Sequence, residues 1–524
     1  MTTGDHSKIL LLIIALASLL RVWQLGAPFV GDEGDWFTLT TTYSTTGSME
    51  HPRIAYLKYG ANETQGYGPN EPWTLHPPLA LFIYAFSYSA LPFSAEVSMR
   101  CVPLFFGLLT VVLTYLLGRM MFNETVGLTS AFLLAISPYH IFHSSFTVDI
   151  DGGLLTFLFL LAVIVYLHWN RTQKSVFIWF CGLIIGLCIL SRLSAVALLL
   201  FLVLCELLNR RVRSSAVLVG GAFMVFLSWV MYDLYQANLI HIVGVIRHTI
   251  PSFGAGALMY NLIYGWVMIA QQLTPPVLAL LLCAFGFILK NNLSAVSSLK
   301  IRELISQSEV LLAAIVLFVL AVYTLPASGD VQRYFSIALP FLFIVIAKFL
   351  SEFRFLLKAV VFTAILWFSL LTLFRINDYM FYSLMLSRTG LASIVLWGIP
   401  LLTLLPLMLG YGRRLVVSLL FGWLLAYAFY YSVFTDVNWP LSISTTLDGV
   451  RSLDAPYLVV SKSSYMLKSV MYYDFLDHGR LTNSYLYLTK FEDIALFMEK
   501  NPGCDTVYMG RYPLLMKCRN LNYI

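Results

Sequence analysis

Asp32, Glu33 and Asp35 fall within four positions in the run VGDEGDW, directly after the first long apolar stretch of the chain. Carboxylates held at a membrane surface can take or guide a hydroxyl proton when burial and neighbouring charges tune their pKa. Acids, imidazoles and guanidinium groups follow at intervals: His51 and Arg53, Glu71 and His76, Arg100, then His140, His143, Asp149 and Asp151, Ser191-Arg192, and Gln332-Arg333-Tyr334. Arginines bind phosphate through charge-assisted, often bidentate, hydrogen bonds. A carboxylate for a hydroxyl and arginines for a phosphate together suit transfer of a group from an anionic lipid, whose tail lies in the bilayer while its headgroup reaches the surface.

Each of these residues also has a plainer reading. Asp35 can simply end or decorate the loop, and Arg100 and Arg192 can snorkel to the interface along apolar stems. His140 and His143 stand one helical turn apart, a spacing that could serve a metal, but no third ligand is set by spacing and they read as interfacial polar residues. His51 and Arg53 read as loop surface. Glu206 reads as a partner of the Arg210, Arg211 and Arg213 cluster. Asn62-Glu63-Thr64 is a glycosylation sequon whose use depends on the host.

The elements that must position these groups are membrane helices. The chain has 524 residues, 59% hydrophobic and 11% charged, with a mean hydropathy of +0.79; this is the composition of a polytopic membrane protein. Aromatics at 15% fit interfacial anchors. Apolar runs near 8–25, 99–118, 124–143, 151–168, 176–190, 194–208, 214–235, 259–289, 310–326, 334–350, 356–374, 391–409 and 415–434 give about thirteen spans of roughly 20 residues, two of them short. The run 259–289 is too long for one helix, and its QQLTPP centre marks a break or kink.

Residues 77–92 are apolar but short and bounded by prolines, and they set the parity of every later loop. If they do not span and the N-terminus is inside, the inner loops collect Arg119, Arg171, Lys174, Arg210, Arg211, Arg213, Lys290 to Arg302, Arg354, Lys358, Arg413 and Arg414. The opposite parity exports nearly all of them, so the positive-inside rule makes 77–92 an interfacial helix within a first outer loop, 26–99. The acidic cluster, Asp149, Asp151, Arg192, Asp330 and Arg333 then share the outer side, as does the tail from 435. That tail alternates strand-like and helix-like segments, including VRSLDAPYLVVSK, KFEDIALFMEK and DTVYMGRY, and reads as a small soluble α/β domain.

The Lys and Arg distribution is a topology signal and no nucleic-acid footprint. The N-terminal run lacks a convincing signal-peptide cleavage site and reads as a retained helix. Of seven cysteines, Cys101, Cys181, Cys188, Cys205 and Cys283 lie in or beside apolar runs, and Cys504 and Cys518 lie in the tail, where a disulfide requires export. No zinc pattern, CxxC pair, internal repeat or inverted two-half symmetry is present.

Taken in order, these motifs resemble the GT-C class of polyprenyl-phosphate-sugar-dependent glycosyltransferases, in particular the protein O-mannosyltransferases and the aminoarabinose transferases that modify lipid A. The resemblance covers residues 8–434. It is carried by the Asp-Glu pair of VGDEGDW after the first helix, by LHPPLALFIYAF closing the first outer loop, and by the Arg-led span SMRCVPLFFGLL. SSFTVDIDGGLL followed by GLCILSR, and the late-helix opening DVQRYFSIALPFLF, complete it. The position matched by His76 is acidic and followed by Lys in aminoarabinose transferases, whereas Pro77 follows here. Arg192 stands where Lys is more usual, and nothing corresponds to a β-trefoil.

What the resemblance implies is an all-α polytopic membrane protein of GT-C fold, 1–434, with an extracytoplasmic α/β domain, 435–524. Asp32 would be the general base or acceptor-orienting carboxylate and Glu33 its support. His76, Arg100, Asp151, Arg192 and Arg333 would surround the donor phosphate and acceptor. The donor would be a dolichyl- or undecaprenyl-phosphate-linked monosaccharide and the acceptor a hydroxyl of protein, lipid or glycan. No nucleotide or nucleic acid is implied, and a divalent metal is left open. A multi-pass protein with its site outside is implied, in the plasma membrane if the source is prokaryotic. The rival class, a transporter or flippase for a lipid-linked sugar, would place charges at the bilayer midplane and pair its broken helices.

Overall fold

The computed structural model describes residues 3–22, 25–26, 29, 32–51, 56–58, 64–65, 71–72, 76–145, 148, 151–237, 239–249, 275–291, 308–324, 335–352, 357–373, 413–434, 457–461, 484–488, 504–509 and 514–518. The chain divides into two compact units. The first comprises Met1–Trp23, Pro103–Tyr232 and Val245–Asp436, and the second Gln24–Val102, Asp233–Gly244 and Val437–Ile524.

The first unit is helical. α1 (Thr3–Val22) packs on the broken pair α5 (Glu124–Ala135) and α6 (Pro138–Ser145), where Leu20, Ile136 and Ile141 form a small core. α4 (Ala95–Met121), which begins in the second unit, turns back into α5 through Asn123, whose side chain caps the new helix by accepting from the Val126 amide at 2.9 Å. Glu124 then receives the Tyr115 hydroxyl at 2.6 Å and pairs with Arg119 at 2.7 Å. The two helices approach closely because both contact positions are glycine. A Cβ on Gly127 would lie 2.6 Å from the Tyr115 carbonyl oxygen.

A π-helical turn, Asp151–Leu155, leads into α7 (Thr156–Thr172), and α8 (Ser175–Ser191), a short 3-10 turn (Leu193–Ala195), α9 (Val196–Leu208) and α10 (Val212–Ala237) follow. α11 is Ile240–Thr249, α12 Pro275–Asn291, α13 Ser308–Thr324, α14 Leu339–Ser351, α15 Leu357–Leu373 and α16 Arg413–Phe434. α14 is apolar and buried nearly all round, which marks it as a central helix of this unit.

Among the described residues, three helices are long and apolar enough to cross a membrane: Ala95–Met121, Gly153–Thr172 and Val212–Tyr235. The pair α5 and α6, bent by 65°, makes a fourth if it counts as one span. The expected straight span near 124–143 is therefore broken, with Pro138 starting its second half because its fixed φ and missing N–H suit a first helical turn. Shorter apolar helices cover most of the other expected runs. The run near 391–409 lies outside the described residues, as does 259–274, the first part of the long run. Its second part begins as a helix at Pro275.

The second unit combines two short helices with a sheet. α2 (Asp32–Thr46) is rich in Thr, a poor intrinsic helix former, so its stability comes from burying Trp36, Phe37, Leu39 and Thr40. It ends at Gly47, whose φ of +70° allows its N–H to reach the Tyr43 carbonyl at 2.8 Å. α3 (Leu79–Ala90) has 12 residues and rises only about 18 Å, well short of a bilayer core.

The strands are β1 (Glu50–His51), β2 (Tyr56–Lys58), β3 (Thr64–Gln65), β4 (Glu71–Pro72), β5 (Tyr457–Ser461), β6 (Ser484–Leu488), β7 (Cys504–Met509) and β8 (Leu514–Cys518). β1 pairs with β4, and the other six form one sheet in the order β3-β2-β6-β5-β8-β7. β2 lies parallel to β6 with Leu57 opposite Leu486, so strands of the first loop and of the tail share one sheet. The helix expected over KFEDIALFMEK lies outside the described residues.

Candidate active site

In the second unit, α2 opens with Asp32, and Asp35 lies in its first turn, where the helix dipole favours negative charge. Glu33, between them, is 3% exposed. Arg100, near the start of α4, is fully buried and donates to both Glu33 oxygens, Nε to Oε1 at 3.0 Å and Nη2 to Oε2 at 2.7 Å. Its Nη1 donates to the Leu25 carbonyl at 3.1 Å, and its guanidinium lies 5.4 Å from the Phe29 ring centroid. Desolvating two charges is costly, and the bidentate geometry with the added carbonyl contact is the arrangement that offsets it. Arg100 is thus no snorkelling residue. It anchors the first turn of α2, which Asp32 opens.

His76 approaches α2 from the other side of the first loop. It is half-buried and stacks on Trp36 with ring centroids 5.5 Å apart and an interplanar angle of 17°. Trp36 in turn meets Tyr84 of α3 edge-on at 5.6 Å, and the Ser87 hydroxyl donates to the Ser98 carbonyl at 2.6 Å, joining α3 to α4. Glu33, His76 and Arg100 are therefore all organised around the first turns of α2.

In the first unit, Asp151 begins the π-helical turn, a local widening often found at functional positions. The turn is pressed onto α4: a Cβ on Gly153 would stand 2.8 Å from the Pro103 Cα. It also packs against α8, the helix that Arg192 terminates. Arg192 is half-buried and extended (φ −153°, ψ 126°), and its N–H donates to the Cys188 carbonyl at 2.8 Å. Arg333 and Asp149 lie outside the described residues. Among the described residues, no group of three His, Cys, Asp or Glu side chains is placed to hold a metal ion.

Residues 75–232 match the family described as dolichyl-phosphate-mannose-protein mannosyltransferase. The structure of ArnT from Cupriavidus metallidurans bound to undecaprenyl phosphate superposes with a TM-score of 0.61 at 13% identity, covering 98% of both chains. The apo state of the same protein gives 0.55 at 13% identity over 97% of both. No curated protein sequence matches the chain.

Residues 75–232 are therefore similar to that mannosyltransferase family, and the chain as a whole has the fold of ArnT. The chain is an integral membrane protein. The stretch matching the mannosyltransferase family contains His76, Arg100, Asp151 and Arg192 and begins downstream of Asp32 and Glu33.

Three buried polar groups were not legible as partners. Arg21, in the last turn of α1, is fully buried and donates from Nε to the Ser144 hydroxyl at 2.8 Å. Its Nη1 donates to the carbonyls of Ala17 at 2.8 Å and Ala135 at 3.0 Å, and Nη2 to His140 Nδ1 at 2.8 Å. The Ala135 carbonyl is one that the break between α5 and α6 leaves outside regular helix pairing. A guanidinium cannot accept, so the His140 proton is on Nε2. His140 and His143 are thus buried inside the first unit rather than open to its surface.

Glu206 has a second partner beside the basic cluster: its Oε1 accepts from the Tyr166 hydroxyl at 2.7 Å, while its carbonyl accepts from the Arg211 amide at 2.9 Å. In the second unit, buried Asp233 accepts from His241 Nδ1 at 2.5 Å and from the Ile242 amide at 2.9 Å, where an apolar span and an open loop were expected. The weak available signals were an Arg ending an apolar run and an Asp near the end of another.

Proposed function

We propose that the chain is an inverting glycosyltransferase that moves a monosaccharide from a polyprenyl-phosphate carrier to a hydroxyl acceptor on the outer face of the membrane. The carrier would be dolichyl or undecaprenyl phosphate, and the acceptor a protein, lipid or glycan hydroxyl. The observation that carries this reading is the buried Glu33–Arg100 pair, next to Asp32 in sequence, in a chain with the fold of ArnT. It supplies a rigid base for a carboxylate that must meet its substrate in a defined place.

In this reading Asp32 takes or guides the acceptor proton, and the acceptor oxygen attacks the anomeric carbon. The bond from that carbon to the lipid phosphate breaks on the opposite side, which inverts the centre and releases polyprenyl phosphate. The relative captured with undecaprenyl phosphate holds the product this step would leave behind. Glu33 supports Asp32, and Arg100, engaged with Glu33, acts by holding the acidic turn in place. Arg192 and Arg333 serve the phosphate, with Asp151 and His76 assigned to donor and acceptor contacts. The membrane region, 1–434, would hold about thirteen spans, with α3 lying along the outer interface and the α/β tail, 435–524, outside.

The test is Asp32→Asn assayed with a panel of polyprenyl-phosphate monosaccharides. Transfer should be lost while yield and melting behaviour stay those of the parent. Transfer at the parental rate by this variant would remove the catalytic assignment.

A further inference from the structure

Cys504 opens β7 and Cys518 closes β8, and the antiparallel register sets them directly opposite each other. One position along, Asp505 faces Lys517, an opposite-charge pair that favours this register over a slipped one. Directly opposed residues on antiparallel strands have Cα atoms about 4.5–5.5 Å apart and share a face of the sheet. That separation lies inside the roughly 4.4–6.8 Å that a disulfide spans. The other five of the seven cysteines belong to helices of the apolar region.

We propose that Cys504 and Cys518 are joined by a disulfide that closes the last hairpin of the sheet, a covalent modification that rests on the extracytoplasmic placement of the tail proposed above. The two thiols give up two protons and two electrons as the S–S bond forms. The acceptor is the disulfide of an extracytoplasmic thiol–disulfide oxidoreductase, which leaves as a dithiol. β7 is an edge strand of the sheet, so the bond ties that edge to its neighbour β8.

The experiment uses the full chain in membranes of the cell that expresses it, denatured in detergent and treated with a polyethylene-glycol maleimide before or after reduction. The parent should carry five adducts unreduced and seven after reduction, since five cysteines lie outside the pair. Cys504→Ser and Cys518→Ser should each carry six under both conditions, because one partner of the seven is gone. Seven adducts on the unreduced parent overturn the proposal, and so do four on unreduced Cys504→Ser, which would assign the bond elsewhere. If the parent shows seven, folded protein in mild detergent is exposed to oxidised glutathione. A fall to five then means that the strands are in register but the tail is not exported, and persistence of seven means that the register itself fails.

Discussion

Arg100 grips both oxygens of Glu33 from a fully buried position, at 3.0 and 2.7 Å, and thereby fixes the turn that begins with Asp32. A buried pair of this kind contributes little over an apolar substitute, but removing one partner strands the other charge, which costs about 3–5 kcal/mol. We expect Arg100→Met to lower the melting temperature of the purified protein strongly and Arg100→Lys to fall between, since an ammonium cannot make the fork. The double variant Glu33→Gln/Arg100→Met should recover part of the loss. Equal melting temperatures for parent and Arg100→Met would show that the pair does not hold this turn.

Arg21 supplies donors to Ser144, His140, Ala17 and Ala135 at once. Arg21→Met leaves buried acceptors unmatched at roughly 1–3 kcal/mol each. The expected result is a destabilised protein in which Arg21→Met and His140→Ala are strongly non-additive when combined. Additive effects in that cycle would mean the two side chains are not coupled.

Gly182 and Gly220 are a matched pair within facing helices. A Cβ on Gly182 would lie 2.4 Å from the Leu218 carbonyl oxygen, whereas one on Gly220 meets nothing within 4 Å. Gly182→Ala should therefore destabilise by about 1–3 kcal/mol through forced separation of α8 and α10. Gly220→Ala should be neutral or stabilising by up to about 1 kcal/mol from helix propensity. Thermal shifts of the two single variants decide this, and the reverse order would contradict the close crossing.

Phe93, just after α3, is 58% exposed and reports the sidedness of the first loop. A single cysteine there, in a background lacking the others, should react with an impermeant maleimide applied to the outer face of intact cells. Labelling only after the inner face is opened would reverse the proposed topology.

Residues 77–92 illustrate how much the sequence could carry. Bounding prolines marked a short apolar helix there, and α3 has 12 residues. The motifs around Glu33, His76 and Arg100 were legible as a group because each stands beside an apolar segment whose position is readable. Their partners were less so. The Arg100–Glu33 fork joins residues 67 positions apart, and Arg21 reaches His140 across 119. A lone arginine ending an apolar run looks the same whether it faces headgroups or a broken helix. The bend between α5 and α6 was hidden for a related reason, since Ser137-Pro138 also suits an ordinary first turn.

The parallel pairing of β2 with β6 joins Leu57 to Leu486, residues more than four hundred positions apart. Ribosomal synthesis runs from the first to the second, so β2 and β3 must wait with an open strand edge while all the helices between are made and inserted. Such distant pairings form late and slowly. A chain stopped short of β6 would keep its membrane helices yet present that unpaired edge to other chains, an invitation to aggregate. Completion of the first loop's sheet is thus timed by the arrival of β6, near the end of synthesis.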